Sequence, residues 1–64
     1  WLTSKVKTML VSEESVSAND IKVITENGEV FLMGLVTEQE ANLAADVARH
    51  VSGVEKVIKV FEYL

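Results

Sequence analysis

The chain of 64 residues is long enough for one small domain, and its hydrophobic fraction of 48% is typical of a globular protein. The formal net charge of −4 argues against nonspecific nucleic-acid binding, which depends on Lys and Arg neutralising phosphates. The chain has no cysteine, so neither a disulfide nor a thiolate nucleophile is available within it. It also lacks a run of about 18 apolar residues, the minimum for a membrane-spanning helix.

The charge is distributed unevenly along the chain. Residues 1–12 contain Lys5 and Lys7 and no acidic residue, whereas residues 13–64 carry all ten acidic residues against four basic ones. The start of the chain is therefore a basic segment attached to an acidic body. This asymmetry indicates which side of the domain an anionic partner would approach.

The first predicted element is an amphipathic helix over residues 2–10, followed by a polar loop over 13–19 that Val16 holds to the core. Four apolar side chains of the helix recur at helical spacing and are expected to face the core: Leu2, Val6, Met9 and Leu10.

A β-hairpin is predicted next. Asn27 and Gly28 both tolerate the positive φ angles of a two-residue type I′ turn. The turn joins a strand over 21–25, rich in β-branched residues, to a strand over 29–36. Gly34 inside the second strand indicates a bulge or a close approach of another backbone or helix.

A second helix is predicted from Glu38 to about Val51. Thr37 and Glu40 form the pattern of a capping box, which starts a helix directly after residue 36. Small residues along this helix would let it pack close to a sheet, and Gly53 is the predicted C′ residue that ends it. A third strand is predicted over 54–63.

The element order α-β-β-α-β predicts an α+β fold. The two-residue loop makes the first two strands antiparallel, and the crossover through the second helix makes the third strand parallel to the second. The expected architecture is a two-layer sandwich, a mixed three-stranded sheet with both helices packed on one face.

The opposite face of this sheet is expected to be open and apolar. If Ile21, Val23 and Val30 point inward, the alternating positions point outward: Ile24, Phe31, Met33, Ile58 and Val60. An apolar patch of this size on a small domain is typical of a contact with another domain or chain. The alternative is a strand register shifted by one residue, which would exchange the two faces.

The whole chain resembles the BON domain. The resemblance is carried by N-G-E-V-F-L-M-G-L-V-T-E-Q-E-A at 27–41, A-A-D-V-A at 44–48 and V-S-G-V-E-K-V at 51–57. Within the family, the stretch 25–38 is similar to the second BON domain of a bacterial outer-membrane lipoprotein associated with cell division and envelope stress.

This resemblance implies a function and a location. It implies that residues 1–64 are one BON domain of a longer, two-domain lipoprotein in the periplasm, at the inner leaflet of the outer membrane. It implies an anionic phospholipid of the phosphatidylglycerol or cardiolipin type as ligand, and another BON domain of the same parent chain as partner. The lipid-contacting element would be the first helix, in which Trp1, Lys5 and Val11 match the aromatic, basic and aliphatic positions. We expect the isolated domain to be monomeric.

The residues of the first helix fit such a role. At about 100° per residue, the side of the helix opposite its apolar stripe carries Trp1, Ser4, Lys5, Thr8 and Val11, with Lys7 along its edge. An exposed Trp beside Lys suits a membrane interface, where the ring lies at headgroup depth and the ammonium reaches phosphate. The same set of side chains could also fit a protein groove, because Trp is a favoured interface anchor.

Catalysis, metal binding and cofactor binding are not predicted. His50 has no second His or Cys at ligand spacing, and the acidic residues of the second helix are interpreted as capping and solubility groups. No nucleophile elbow, phosphate-binding loop or dinucleotide fingerprint is present. The G-x-x-G loop of RNA-binding KH modules is also missing, which argues against RNA binding. Two hypotheses remain: a non-catalytic phospholipid-binding module, or a protein-interaction module that uses the open sheet face.

Overall fold

The computed structural model describes residues 2–11 and 21–64, and it confirms the predicted element order. The elements are α1 (Leu2–Val11), β1 (Lys22–Glu26), β2 (Glu29–Val36), α2 (Glu38–Arg49) and β3 (Lys56–Tyr63). The predicted loop over 13–19, with Val16, lies outside the described residues.

The strands form one mixed sheet in the order β1-β2-β3. As predicted, β1 and β2 are antiparallel, and β2 and β3 are parallel. The hairpin turn has positive φ angles at Asn27 (52°) and Gly28 (81°), which confirms the type I′ prediction. Gly34 has a φ of 145°, a conformation that other residues rarely adopt, yet it pairs with Phe61 without a bulge.

The capping box at the start of α2 is present in full. The backbone N–H of Thr37 donates to Oε1 of Glu40 over 3.0 Å, and the backbone N–H of Glu40 donates to Oγ1 of Thr37 over 3.1 Å. Two orphan donors are thereby satisfied, and the helix starts where the sequence predicts.

The predicted end of α2 is wrong by about two residues. The helix ends at Arg49 and is capped by His50, whose φ of −87° lies in the right-handed region. Hydrogen bonds from His50 to Val47 and from Val51 to Ala48 tighten the last turn, because the carbonyls there are satisfied at i−3 spacing. Gly53 is therefore not the C′ residue; its φ of 98° belongs to the turn that leads into β3.

Both helices cover the same face of the sheet and contact each other. Helix α1 contributes Val6 and Leu10 to the core, and the sheet contributes mainly β-branched residues. Helix α2 contributes a stripe of buried small residues: Ala41, Ala44, Ala45 and Ala48. The predicted close packing of α2 on the sheet is confirmed, since alanine side chains keep its backbone near the strands.

The prediction that Met9 faces the core is wrong. Its side chain is 46% exposed, whereas Val6 and Leu10 are completely buried or nearly so. At 100° per residue, the centre of the buried arc falls between Val6 and Leu10, so Met9 lies about 80° from it and Thr3 only about 40°. The buried side of α1 is therefore turned towards Thr3, which leaves Met9 at its edge.

Candidate functional site

The side of α1 that faces away from the core is called the α1 outer face here. The structure places every described residue predicted for this face in an exposed position: Ser4, Lys5, Lys7, Thr8 and Val11. Val11 is 71% exposed, so this face carries an apolar side chain as well as its lysines. The prediction for Trp1 falls outside the described residues.

Contacts on the other side of α1 hold this face outward. The hydroxyl groups of Thr3 and Thr25 form a hydrogen bond of 2.6 Å between α1 and β1. Val6 and Leu10 pack into the core on the same side of the helix. On the exposed side, the hydroxyl of Thr8 donates to the carbonyl oxygen of Ser4 over 2.8 Å, so it follows the helix axis. The helix is thus fixed in rotation, with its lysines towards solvent.

A groove of about 470 Å³ separates α1 from the end of α2, and it is called the α1–α2 groove here. Its walls are mainly apolar atoms, and its lining residues are Ser4, Lys5, Thr8, Met9, His50, Val51 and Ser52. A second depression of about 270 Å³ adjoins it and shares Lys5 and Ser52. Sequence reasoning missed the groove. The available signal was the position of Met9 at the edge of the apolar stripe.

His50 lies at the C-terminal end of α2 and borders this groove. Its Nδ1 lies 2.7 Å from the carbonyl oxygen of Asp46, which can only accept, so Nδ1 carries the proton and Nε2 is the acceptor of the neutral ring. The side chains of Arg49 and Asp46 form an exposed ion pair of 3.6 Å one turn away. Among the described residues, no group of three or more potential metal ligands comes together.

The open sheet face lies on the opposite side of the domain. The strand register places Phe31 between Ile24 and Ile58, and Met33 beside Val60, so the predicted strand register is confirmed and the shifted alternative is wrong. Leu35, 54% exposed, extends this face along β2 and was not predicted. Charged residues flank the apolar strip at both ends: Lys22, Glu26, Glu29, Lys56 and Glu62.

The structure thus defines a small two-layer α+β module with two separate candidate surfaces, a basic helix face and an apolar sheet face. Neither helix among the described residues is long and apolar enough to cross a membrane. The model of the BON domain family matches residues 1–64, and this chain belongs to that family.

Two relatives carry the same similarity across the whole chain. It is 59% identical over 64 residues to the outer membrane lipoprotein DolP of Haemophilus influenzae. It is 52% identical over 64 residues to the 21 kDa hemolysin of Actinobacillus pleuropneumoniae. In both cases all of this chain is aligned with 33% of the relative, so the chain spans about a third of the length of these proteins. The resemblance read from the sequence motifs is confirmed.

Proposed function

We propose that this BON domain is a non-catalytic module that binds anionic phospholipid through the α1 outer face and holds its parent protein at a membrane of the bacterial envelope. The observation that carries the proposal is the composition of this face. Helix α1 has two exposed lysines, an exposed Val11 and no acidic residue. Trp1 precedes it directly in the sequence. The similarity to a protein named as an outer membrane lipoprotein supports an envelope location.

Long-range electrostatics favour one orientation on such a membrane. Residues 13–64 carry ten acidic and four basic residues, so a negatively charged bilayer repels the body of the domain. It attracts α1, which lies on one side of the sheet. An anionic surface would therefore orient the domain with α1 towards the lipid before contact.

The expected affinity of one isolated domain is low. Each lysine near an anionic leaflet contributes about 1 kcal/mol, and partial insertion of Trp1 adds roughly 1.5–3 kcal/mol. The total of about 3.5–5 kcal/mol corresponds to a dissociation constant of roughly 1 mM. Stable attachment needs a second signal, a lipid anchor or another binding domain. We propose that this domain supplies one signal within a two-domain lipoprotein, on the periplasmic side of the outer membrane, with phosphatidylglycerol or cardiolipin as ligand.

The test is an NMR titration of the isotope-labelled domain with phosphatidylglycerol micelles and, separately, phosphatidylcholine micelles. We expect shifts confined to residues 1–12, including the Trp1 indole N–H, with the anionic lipid alone. Trp1→Glu should abolish binding while the sheet resonances stay unchanged. Leu64→Glu, a carboxylate added at an exposed apolar position far along the chain, is the matched control and should bind as wild type. Equal binding by Trp1→Glu would exclude the proposed site.

A second candidate function rests on the open sheet face. Its apolar side chains extend across all three strands, with Ile24, Phe31 and Ile58 in one row of the register. Contiguous exposed apolar surface of this kind is typical of an interface. We propose a second BON domain of the same parent chain, or an envelope protein, as the partner. Since this face lies opposite α1, both functions are compatible in one domain.

This candidate is tested by titrating the domain with the other BON domain of its parent chain, produced separately. We expect Met33→Lys to abolish heat of binding, because the charge would be buried without a partner. Val60→Lys repeats the change at a position that is 52% exposed, where we expect little effect on folding. Val11→Lys adds the same charge on the α1 outer face and should leave the heat unchanged. Association that survives both Met33→Lys and Val60→Lys would exclude this interface.

A further inference from the structure

We propose that the α1–α2 groove holds one acyl chain of an anionic phospholipid, with the phosphate group at Lys5. This inference rests on the proposed function and names the part of the lipid that the site recognises. The lipid would then be bound as a single molecule partly lifted from the bilayer, in addition to the contact of α1 with the surface.

The size and lining of the groove fit a hydrocarbon chain. Its volume of about 470 Å³ lies within the range of roughly 300–1,000 Å³ typical of small-molecule sites. Its walls are mainly apolar, and Val51, which is 7% exposed, belongs to the core behind it. Met9 contributes an unbranched thioether side chain, a type that adapts to flexible apolar ligands. Met9 is 46% exposed, and this exposure would fall when a chain occupies the groove.

The polar side chains that line the groove can bind a lipid headgroup. Ser4 and Ser52 contribute hydroxyl groups that can donate to phosphate oxygens, and Lys5 contributes a positive charge. The Thr8 hydroxyl, which donates to the carbonyl oxygen of Ser4, can still accept a hydrogen bond. The hydroxyl groups also accept hydrogen bonds, which suits the glycerol hydroxyls of phosphatidylglycerol.

Charge complementarity selects an anionic amphiphile over other apolar ligands. Helix α1, one wall of the groove, carries Lys5 and Lys7 and no acid, on a chain whose net charge is −4. The adjoining depression reaches Gly28, where the Glu55 carboxylate lies close to the backbone and opposes a second anionic group. The phosphate is therefore placed at Lys5, with the chain directed towards Met9 and Val51.

The experiment uses dihexanoyl phosphatidylglycerol below its micelle concentration, so that single lipid molecules are titrated. We expect saturable shifts at the Met9 methyl group and the Val51 and Ser52 amides, and intermolecular NOEs from the Met9 methyl to the acyl chain. Ser52→Phe, which fills the groove from the α2 side, should weaken this binding about tenfold or more, a loss of ~1.4 kcal/mol per tenfold step. Gln39→Phe, an aromatic residue added on the exposed side of α2, is the matched control and should bind as wild type.

Each other outcome overturns the proposal in a distinct way. Equal shifts with glycerol phosphate would show that the site binds phosphate without an acyl chain. Equal affinity for zwitterionic dihexanoyl phosphatidylcholine would exclude the proposed selectivity for an anionic headgroup. Absence of the NOEs in the wild-type domain, a result that needs no variant, would exclude the acyl chain. If monomeric lipid gives no shifts while phosphatidylglycerol vesicles still bind, the groove is excluded and the proposed function stands. If vesicles also fail to bind, both are excluded.

Discussion

The hydroxyl groups of Thr3 and Thr25 lie 2.6 Å apart and join α1 to β1 across 22 positions of sequence. The bond is partly buried and lies on the side of α1 opposite Thr8. Because it fixes a polar atom of the helix to a particular strand, it limits rotation of α1 about its own axis. The outward direction of Lys5 and Val11 depends on that limit as well as on the burial of Val6 and Leu10.

We predict that Thr25→Val destabilises the domain by about 1 kcal/mol, since the Thr3 hydroxyl then loses its partner in a partly buried position. The double variant Thr3→Val with Thr25→Val should recover much of this loss, because both polar groups are removed together. Urea denaturation followed by circular dichroism measures both. A double variant that is less stable than the single one by the full cost of a second substitution would show that the two hydroxyl groups act independently.

The hairpin and the β-α-β unit follow from local chemistry, which explains why the fold was predictable. Asn27 and Gly28 specify their turn without help from distant residues, and the Thr37–Glu40 capping box likewise sets the start of α2. The end of α2 was predicted less well. His50 and Val51 continue the last turn through i−3 hydrogen bonds, and the composition of the sequence does not reveal this choice.

Only those features of the candidate surfaces that follow from the periodicity of a single helix or strand could be predicted from the sequence. The alternation in β2 correctly placed Phe31 and Met33 on the open sheet face, because the period of a strand is two. Helical periodicity placed Met9 in the core, because a periodic pattern treats the helix as if it were isolated. The rotation of α1 also depends on the hydrogen bond between Thr3 and Thr25, which are distant in sequence. The α1–α2 groove arises from the packing of two elements, and its one signal in the sequence is the position of Met9 at the edge of the apolar stripe.

We predict that Gly28→Ala costs about 1–2 kcal/mol of stability, the usual penalty for a side chain in the left-handed region. Gly28 has a φ of 81°, and a Cβ added there would lie 2.6 Å from Oε2 of Glu55. Because Glu55 is an exposed, flexible side chain, it should move aside at little cost. Thermal denaturation of Gly28→Ala with and without Glu55→Ala separates the two effects. A large recovery of stability in the double variant would show that the clash, and not the backbone angle, dominates.

We predict that Ala44→Leu destabilises the domain by about 1–3 kcal/mol, because a larger side chain forces α2 away from the sheet. Ala44 is completely buried in the stripe of small residues that faces the strands. Gln39→Leu makes a comparable change at an exposed position of the same helix and should alter stability by less than about 0.5 kcal/mol. Equal stability of the two variants in urea would mean that the space between α2 and the sheet accommodates a leucine side chain at position 44.

We predict that Lys7→Glu weakens binding to phosphatidylglycerol vesicles by roughly 30-fold. Loss of one favourable charge and gain of one unfavourable charge each cost about 1 kcal/mol near an anionic leaflet. Lys22→Glu changes the net charge of −4 by the same amount, but Lys22 belongs to β1 and lies on the open sheet face. Vesicle cosedimentation of the two variants should therefore show a loss for Lys7→Glu and little change for Lys22→Glu. The difference should shrink with added salt, because surface charges are screened over about 10 Å at 0.1 M ionic strength. Equal losses in both variants would assign binding to net charge instead of to α1.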